Sequence, residues 1–191
     1  MLFRSTHAIE AYVSAMATNF TNSNSLEALK LLFRYLKRSY DNGAKDPIAR
    51  EKVHYASTIE GMAFANAFLG VCHSMAHNLG AMFHVPHGLA NALLINQVIK
   101  FNATDKPVKQ TAFPQYNFPC AKAKYGQIAD ELGLGGKNDD EKVELLQKAL
   151  IQMKKDLNLP MSIKEFGIDE QEFLSKLDEM EIGRASCRER V

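Results

Sequence analysis

Apolar residues recur at three- and four-residue intervals along most of the 191-residue chain, the spacing that gives a helix one face to bury. Residues 6–19 put Ala8, Tyr12, Val13, Ala15 and Met16 on such a pattern, which gives out in the polar stretch 18–25. Ser25 then opens a predicted helix over 26–40, with Leu29, Leu32, Phe33 and Leu36 on one stripe and Asp41-Asn42-Gly43 as its stop. Asp46-Pro47 pairs an N-cap with a first-turn proline and predicts a helix carrying Val53, Ala56 and Ile59. Residues 61–80 are nearly all small or apolar, which predicts a buried central helix pair or one long helix. Pro86-His87-Gly88 punctuates, and 89–101 again reads as a buried helix, so 61–101 is expected to form the buried centre. Residues 104–120 hold three prolines and no clean period, the pattern of a loop. Amphipathic helices follow at 122–132, 139–157 and 169–181, separated by glycines at 133–136 and by Pro160. No strand-like alternation appears. The fold class is all-α.

Bulk properties narrow the function classes. The length suits one well-buried domain, and 46% apolar with 24% charged residues is ordinary for a globular protein. A net charge of +1 implies neither a nucleic-acid nor an anionic membrane partner. No apolar run reaches the length of a membrane span, and the N-terminus lacks a secretory h-region. Cys72, Cys120 and Cys187 are an odd, widely spaced set without CxxC, which points to a reducing, cytoplasmic setting.

The candidate chemistry lies in His73-Ser-Met-Ala-His77-Asn-Leu-Gly-Ala-Met-Phe-His84-Val-Pro-His87. On a helix His73 and His77 share a face one turn apart, and a break near Gly80 would return His87 toward them. Converging neutral imidazoles suit a borderline divalent metal such as iron(II) or zinc. His84 reads as a rim or packing residue, His54 as a surface residue, and Cys72 as a small buried hydrophobe pointing away from His73. His73-Ser-Met-Ala-His77 lacks the glutamate that a zinc protease would place after its first histidine.

The string Gly61-Met-Ala-Phe-Ala-Asn-Ala-Phe-Leu-Gly-Val-Cys-His-Ser-Met-Ala-His, followed by Phe83-His-Val-Pro-His-Gly-Leu-Ala-Asn-Ala-Leu-Leu, resembles the signature of iron-containing (group III) alcohol dehydrogenases. The likeness is greatest to the alcohol dehydrogenase half of bifunctional aldehyde–alcohol dehydrogenases. It runs over about residues 6–180, including Thr6-His-Ala-Ile-Glu-Ala-Tyr-Val-Ser and Thr111-Ala-Phe-Pro-Gln-Tyr. The resemblance implies a multi-helix metal-binding domain of the dehydroquinate synthase-like type. It implies a metal held by an Asp and three histidines, which maps onto His7, His73 and His87 here. The Asp should stand four residues before His7, where this chain has Phe3. His77 matches a histidine near substrate and nicotinamide, and either relays the alcohol proton, fixes a water, or makes a structural hydrogen bond.

The implied reaction interconverts short-chain aldehydes and alcohols by hydride transfer with NAD(H), using Fe(II) or alternatively zinc. No cofactor-binding residue is assigned in this chain: Gly133-Leu-Gly-Gly136 follows a helix rather than a strand, and family members carry NAD(P) on an N-terminal domain. By itself the chain is expected to be inactive, with a homo-oligomer expected only of the full-length enzyme. Residues 1–5 are read as a leader outside the resemblance and 181–191 as a foreign, arginine-rich tail. A zinc-dependent polyol or glycerol dehydrogenase relative and a catalytically inert metal-binding or assembly module are the competing readings.

Overall fold

Helix α1 (Phe3–Val13) is buried on every side from Ser5 to Val13, although that stretch carries Ser5, Thr6, His7 and Glu10 among its apolar residues. A helix can be central and polar only if its polar groups are met by partners, and here they are met by other helices. The computed structural model describes residues 3–105 and 120–184, with side chains over 4–105 and 120–180. Those residues form ten α-helices and one 3₁₀ turn, and no strand occurs among them. The all-α expectation holds.

Around α1 pack α2 (Asn19–Asn42), α3 (Pro47–Ala67), α5 (His87–Asn102) and α6 (Ala121–Glu131). The start of α2 differs from the expected Ser25. Thr18 is the N-cap: its hydroxyl accepts the Thr21 N–H at 3.3 Å while Thr21 Oγ1 accepts the Thr18 N–H at 2.8 Å. This reciprocal box starts the helix two turns early, in a stretch whose polarity looked like a linker. Gly43, at φ 48°, ends it. A 3₁₀ turn (Gly43–Lys45) leads to the Asp46 cap, which accepts the Ala49 N–H with Pro47 in the first turn, as expected. Leu32 and Leu36 then pack on Val53 and Ala56, with Ala92 and Leu157 closing the layer.

Residues 61–80 follow the helix-pair alternative rather than one long helix, and are not wholly central. Helix α3 ends at Ala67, and Phe68 takes φ 64° and ψ −179°, a conformation that side chains other than glycine avoid. The freed Ala67 carbonyl is caught by the Ser14 hydroxyl at 2.5 Å, fastening the end of α3 to the end of α1. Helix α4 (Val71–Phe83) then runs straight through Gly80, contrary to the expected break there. It stops at His84, which is left-handed at φ 54°. Gly80 serves another end: a Cβ there would come within 3.2 Å of the Val85 carbonyl oxygen, so its absence lets the returning chain lie close. Burial runs along most of α5, but Met62, Phe68 and His77 open one side of 61–83 to solvent. The centre is therefore shared by α1 and α5 rather than made by 61–101 alone.

Helices α6 and α7 (Asp139–Asp156) form a hairpin against α5, as their periodicity predicts. The expected helix over 169–181 is instead α9 (Glu170–Ser175) and α10 (Leu177–Arg184), parted at Lys176, whose N–H bonds the carbonyl of Phe173. A short α8 (Ile163–Phe166), capped by Ser162 and ended by Gly167 at φ 106°, was not foreseen. Helix α10 rests on α4, where Asn78 donates to the Met180 carbonyl at 2.7 Å. Most of the loop expected at 104–120, the Thr111 string and the tail beyond residue 184 lie outside the described residues.

Candidate metal centre

Three helices meet at their histidines. His7 comes from the first turns of α1, His73 from the first turn of α4, and His87 opens α5. One ring nitrogen from each lies within 4.8 Å of the others. The His7 and His73 rings stack at 4.5 Å between centroids, and His73 and His87 are 5.4 Å apart at a tilt of 53°. Small residues permit this approach: Ala11, Ala63 and Ala67 pack α1 onto α3 beside Phe64, which in turn flanks His7 at 4.5 Å.

Two carboxylates lie against the His73 and His7 rings. Glu10 Oε2 lies 2.5 Å from His73 Nδ1, and its Oε1 accepts the Cys72 N–H at 2.8 Å. One carboxylate thus meets both an orphan amide at the N-terminus of α4 and a histidine of its first turn, where a negative charge also faces the positive end of the helix dipole. Glu60, on α3, places Oε2 3.0 Å from His7 Nδ1. Asn91, one turn along α5, sets its Nδ2 3.2 Å from His87 Nε2 and donates to the His87 carbonyl at 3.1 Å.

Burial favours the neutral form of two of the three rings, His73 and His87. Burial pushes His73 below the ordinary histidine value, against the opposing pull of Glu10. Burial also lowers His87, helped by repulsion from His73, His77 and His7. Neutral rings are the form that binds a metal. His73 Nε2 is buried with no hydrogen-bond partner, an uncommon state for a polar atom. With Nδ1 engaged by Glu10, that orphaned nitrogen is the one left to take a ligand. The donor set fits a borderline divalent cation.

Beside the cluster opens a cavity of about 280 Å³ walled by Phe64, Phe68 and Leu69, with His73, Ser74 and His77 at its polar side. A larger, open depression near Lys164, Asp169 and Leu174 contains none of the histidines.

The trio differs from the one suggested by spacing alone. His77, exposed like His87, stacks on it at 5.1 Å but stands one turn farther along α4, outside the trio. His7 takes the third place, as the resemblance implied. His84 and His54 are exposed, away from the trio, and Cys72 is fully buried with its thiol pushed well up by burial. Position 3 stands one turn before His7 on α1 and carries Phe. Sequence reasoning missed Glu10 and Glu60. The available signal was an acidic residue set inside an apolar run, as in Ala8-Ile9-Glu10-Ala11 and Ile59-Glu60-Gly61.

Known proteins share this arrangement of helices and sequence. The chain is 56% identical over 177 residues to the bifunctional aldehyde-alcohol dehydrogenase AdhE of Escherichia coli, a match covering 92% of the chain and 20% of that protein. It is 52% identical over 172 residues to an aldehyde-alcohol dehydrogenase of Clostridium acetobutylicum, covering 90% of the chain and 20% of the relative. The iron-containing alcohol dehydrogenase of Thermococcus thioreducens superposes with a TM-score of 0.75 at 33% identity, over 96% of this chain and 42% of that one. The chain therefore spans about a fifth of the two enzymes it matches by sequence and less than half of the solved one. Among the described residues, no helix is long and apolar enough to cross a membrane. The profile "Fe-containing alcohol dehydrogenase family, C-terminal" matches residues 4–182, nearly the whole chain, and the chain belongs to that family.

Proposed function

We propose that this chain is the metal-holding part of an NAD-dependent alcohol dehydrogenase that interconverts short-chain aldehydes and alcohols. His7, His73 and His87 hold the metal, iron(II) by family and zinc as the alternative that an all-nitrogen set also suits. The observation that carries this reading is three imidazole nitrogens within 4.8 Å, one of them buried and without a hydrogen bond. A divalent metal bound there supplies Lewis-acid polarisation of the substrate oxygen.

The remaining roles fall to this chain's own side chains. Phe64, Phe68 and Leu69 form an apolar wall that excludes water from a small aliphatic substrate lying next to His73. His77 lines that cavity, is exposed and stacks on His87, which supports a role in holding the alcohol proton or passing it to solvent at an imidazole nitrogen. The nicotinamide is brought by a nucleotide-binding domain outside these 191 residues, in a full-length enzyme that is a cytoplasmic homo-oligomer. Positioning of that kind is worth roughly 7–11 kcal/mol of barrier, so the chain alone has no useful turnover.

The test is NADH oxidation with acetaldehyde, measured on the chain alone and joined to a nucleotide-binding domain from one of its family. The joined protein should oxidise NADH, a chelator should abolish it, and His73→Ala should do the same. Robust turnover by the chain alone, or turnover indifferent to chelation, would overturn the reading.

A further inference from the structure

Glu10 and Glu60 are 1% and 3% exposed, and among the described residues neither meets a lysine or arginine. Among the described residues their basic partners are the imidazoles of His73 and His7. Two buried carboxylates so placed are unfavourable unless a cation lies near. Glu60 Oε2 has only the His7 ring at 3.0 Å and no well-aligned hydrogen bond, so polar packing does not account for it. Each carboxylate meets its histidine at Nδ1.

We infer that Glu10 and Glu60 are the positioning residues of the metal centre, each set against Nδ1 of one ligand histidine and together balancing the charge of a divalent cation. The inference rests on the metal reading above. Glu10 accepts the Nδ1–H of His73, which fixes the tautomer with its lone pair on Nε2, the orphaned atom. Glu60 Oε2 lies 3.0 Å from His7 Nδ1 without an aligned hydrogen bond, so its contribution is chiefly its charge beside a second ligand. Imidazole ligands bring no negative charge to a 2+ ion, and two carboxylates beside them match it. Both residues therefore act on the metal without touching it. The two requirements are met by one pair of side chains: the ion neutralises the carboxylates, and they balance its charge.

The experiment uses Zn²⁺ as the probe on the 191-residue chain, with affinity read by calorimetric titration and metal-free stability by thermal unfolding. Glu10→Gln and Glu60→Gln keep the shape and an accepting oxygen but remove the charge. Each should weaken Zn²⁺ binding roughly 10–100-fold. The metal-free melting temperature should hold or rise, because an uncompensated buried charge has gone. A merely structural hydrogen bond predicts the reverse, a lower metal-free melting temperature with Zn²⁺ affinity intact, and that result overturns the inference. If Glu10→Gln loses its fold through the α4 N-terminus, Glu60→Gln decides, since no helix end depends on it. No Zn²⁺ uptake by the unaltered chain would instead overturn the metal reading, and this inference with it. Uptake that needs His73 but ignores both glutamates would overturn this inference alone.

Discussion

Truncating Ile9 to alanine probes the least expected feature of the fold, a central α1 buried on all sides. Ile9 is fully buried within the main core, in a helix enclosed by α2, α3, α5 and α6. Removing three carbons forfeits about 0.8 kcal/mol each, or roughly 2.4 kcal/mol of transfer free energy. A residual cavity of about 40 Å³, at about 24 cal/mol per Å³, adds roughly 1 kcal/mol. Alanine's better helix propensity returns about 0.4 kcal/mol. The expected loss is about 3 kcal/mol. With about 2.1 cal/mol/K of unfolding entropy per residue, a chain of this size should melt roughly 7–8 °C lower. Urea unfolding followed by far-UV circular dichroism measures the loss directly, and Phe20→Ala, at an exposed site, should cost less than about 1 kcal/mol. A cost below about 1 kcal/mol for Ile9→Ala would mean that α1 has a solvent face, and the account of His7 and Glu10 as buried groups would fall with it.

Three further outcomes are expected. Ser14→Ala should destabilise by about 1–3 kcal/mol, because it leaves the buried Ala67 carbonyl without its donor; a change under about 0.5 kcal/mol by urea unfolding would show that water replaces the hydroxyl. Phe3→Asp, one turn before His7, should tighten Zn²⁺ binding without giving turnover. Four-ligand zinc sites are worth roughly 10–16 kcal/mol, so one more ligand should be worth at least about tenfold, and unchanged affinity in a calorimetric titration would refute this. The affinity for Zn²⁺ should be flat from about pH 8 down to about 6.5 and fall only below it, since lowered values for His73 and His87 keep the neutral, binding form populated further into acid. A decline beginning well above the ordinary histidine value of 6.5 would have the wrong sign.

Elements with local chemistry were legible in the sequence. Asp46-Pro47 and Gly43 mark their helix ends because the signals act within one turn, and the α6 and α7 stripes show directly which face packs. The start of α2 was hidden because Thr18 and Thr21 cap each other through small polar side chains that read equally well as a loop. Gly80 looked like a break because a glycine that stops a helix and one that lets a neighbouring strand of backbone approach are the same residue in a sequence. In the site, His73 and His87 followed from spacing, whereas His7 lies 66 residues away from His73 in sequence and only the family string reached it. Glu10 and Glu60 were illegible for a related reason: a charged residue on a helix is ordinarily solvated, and only the tertiary meeting of α1, α3 and α4 turns these two inward.

The central claim is that His7, His73 and His87 are ligands of one metal, and X-ray absorption at the metal edge of the Zn²⁺-loaded chain tests it most directly. The account predicts a nearest shell of nitrogen, with any oxygen from solvent, at about 2.0–2.1 Å, and outer-shell scattering from three imidazole rings. That scattering should fall by a third in His7→Ala, the ligand that sequence spacing alone did not supply. A shell without imidazole scattering, a sulfur at about 2.3 Å, or a spectrum that His7→Ala leaves unchanged would contradict it.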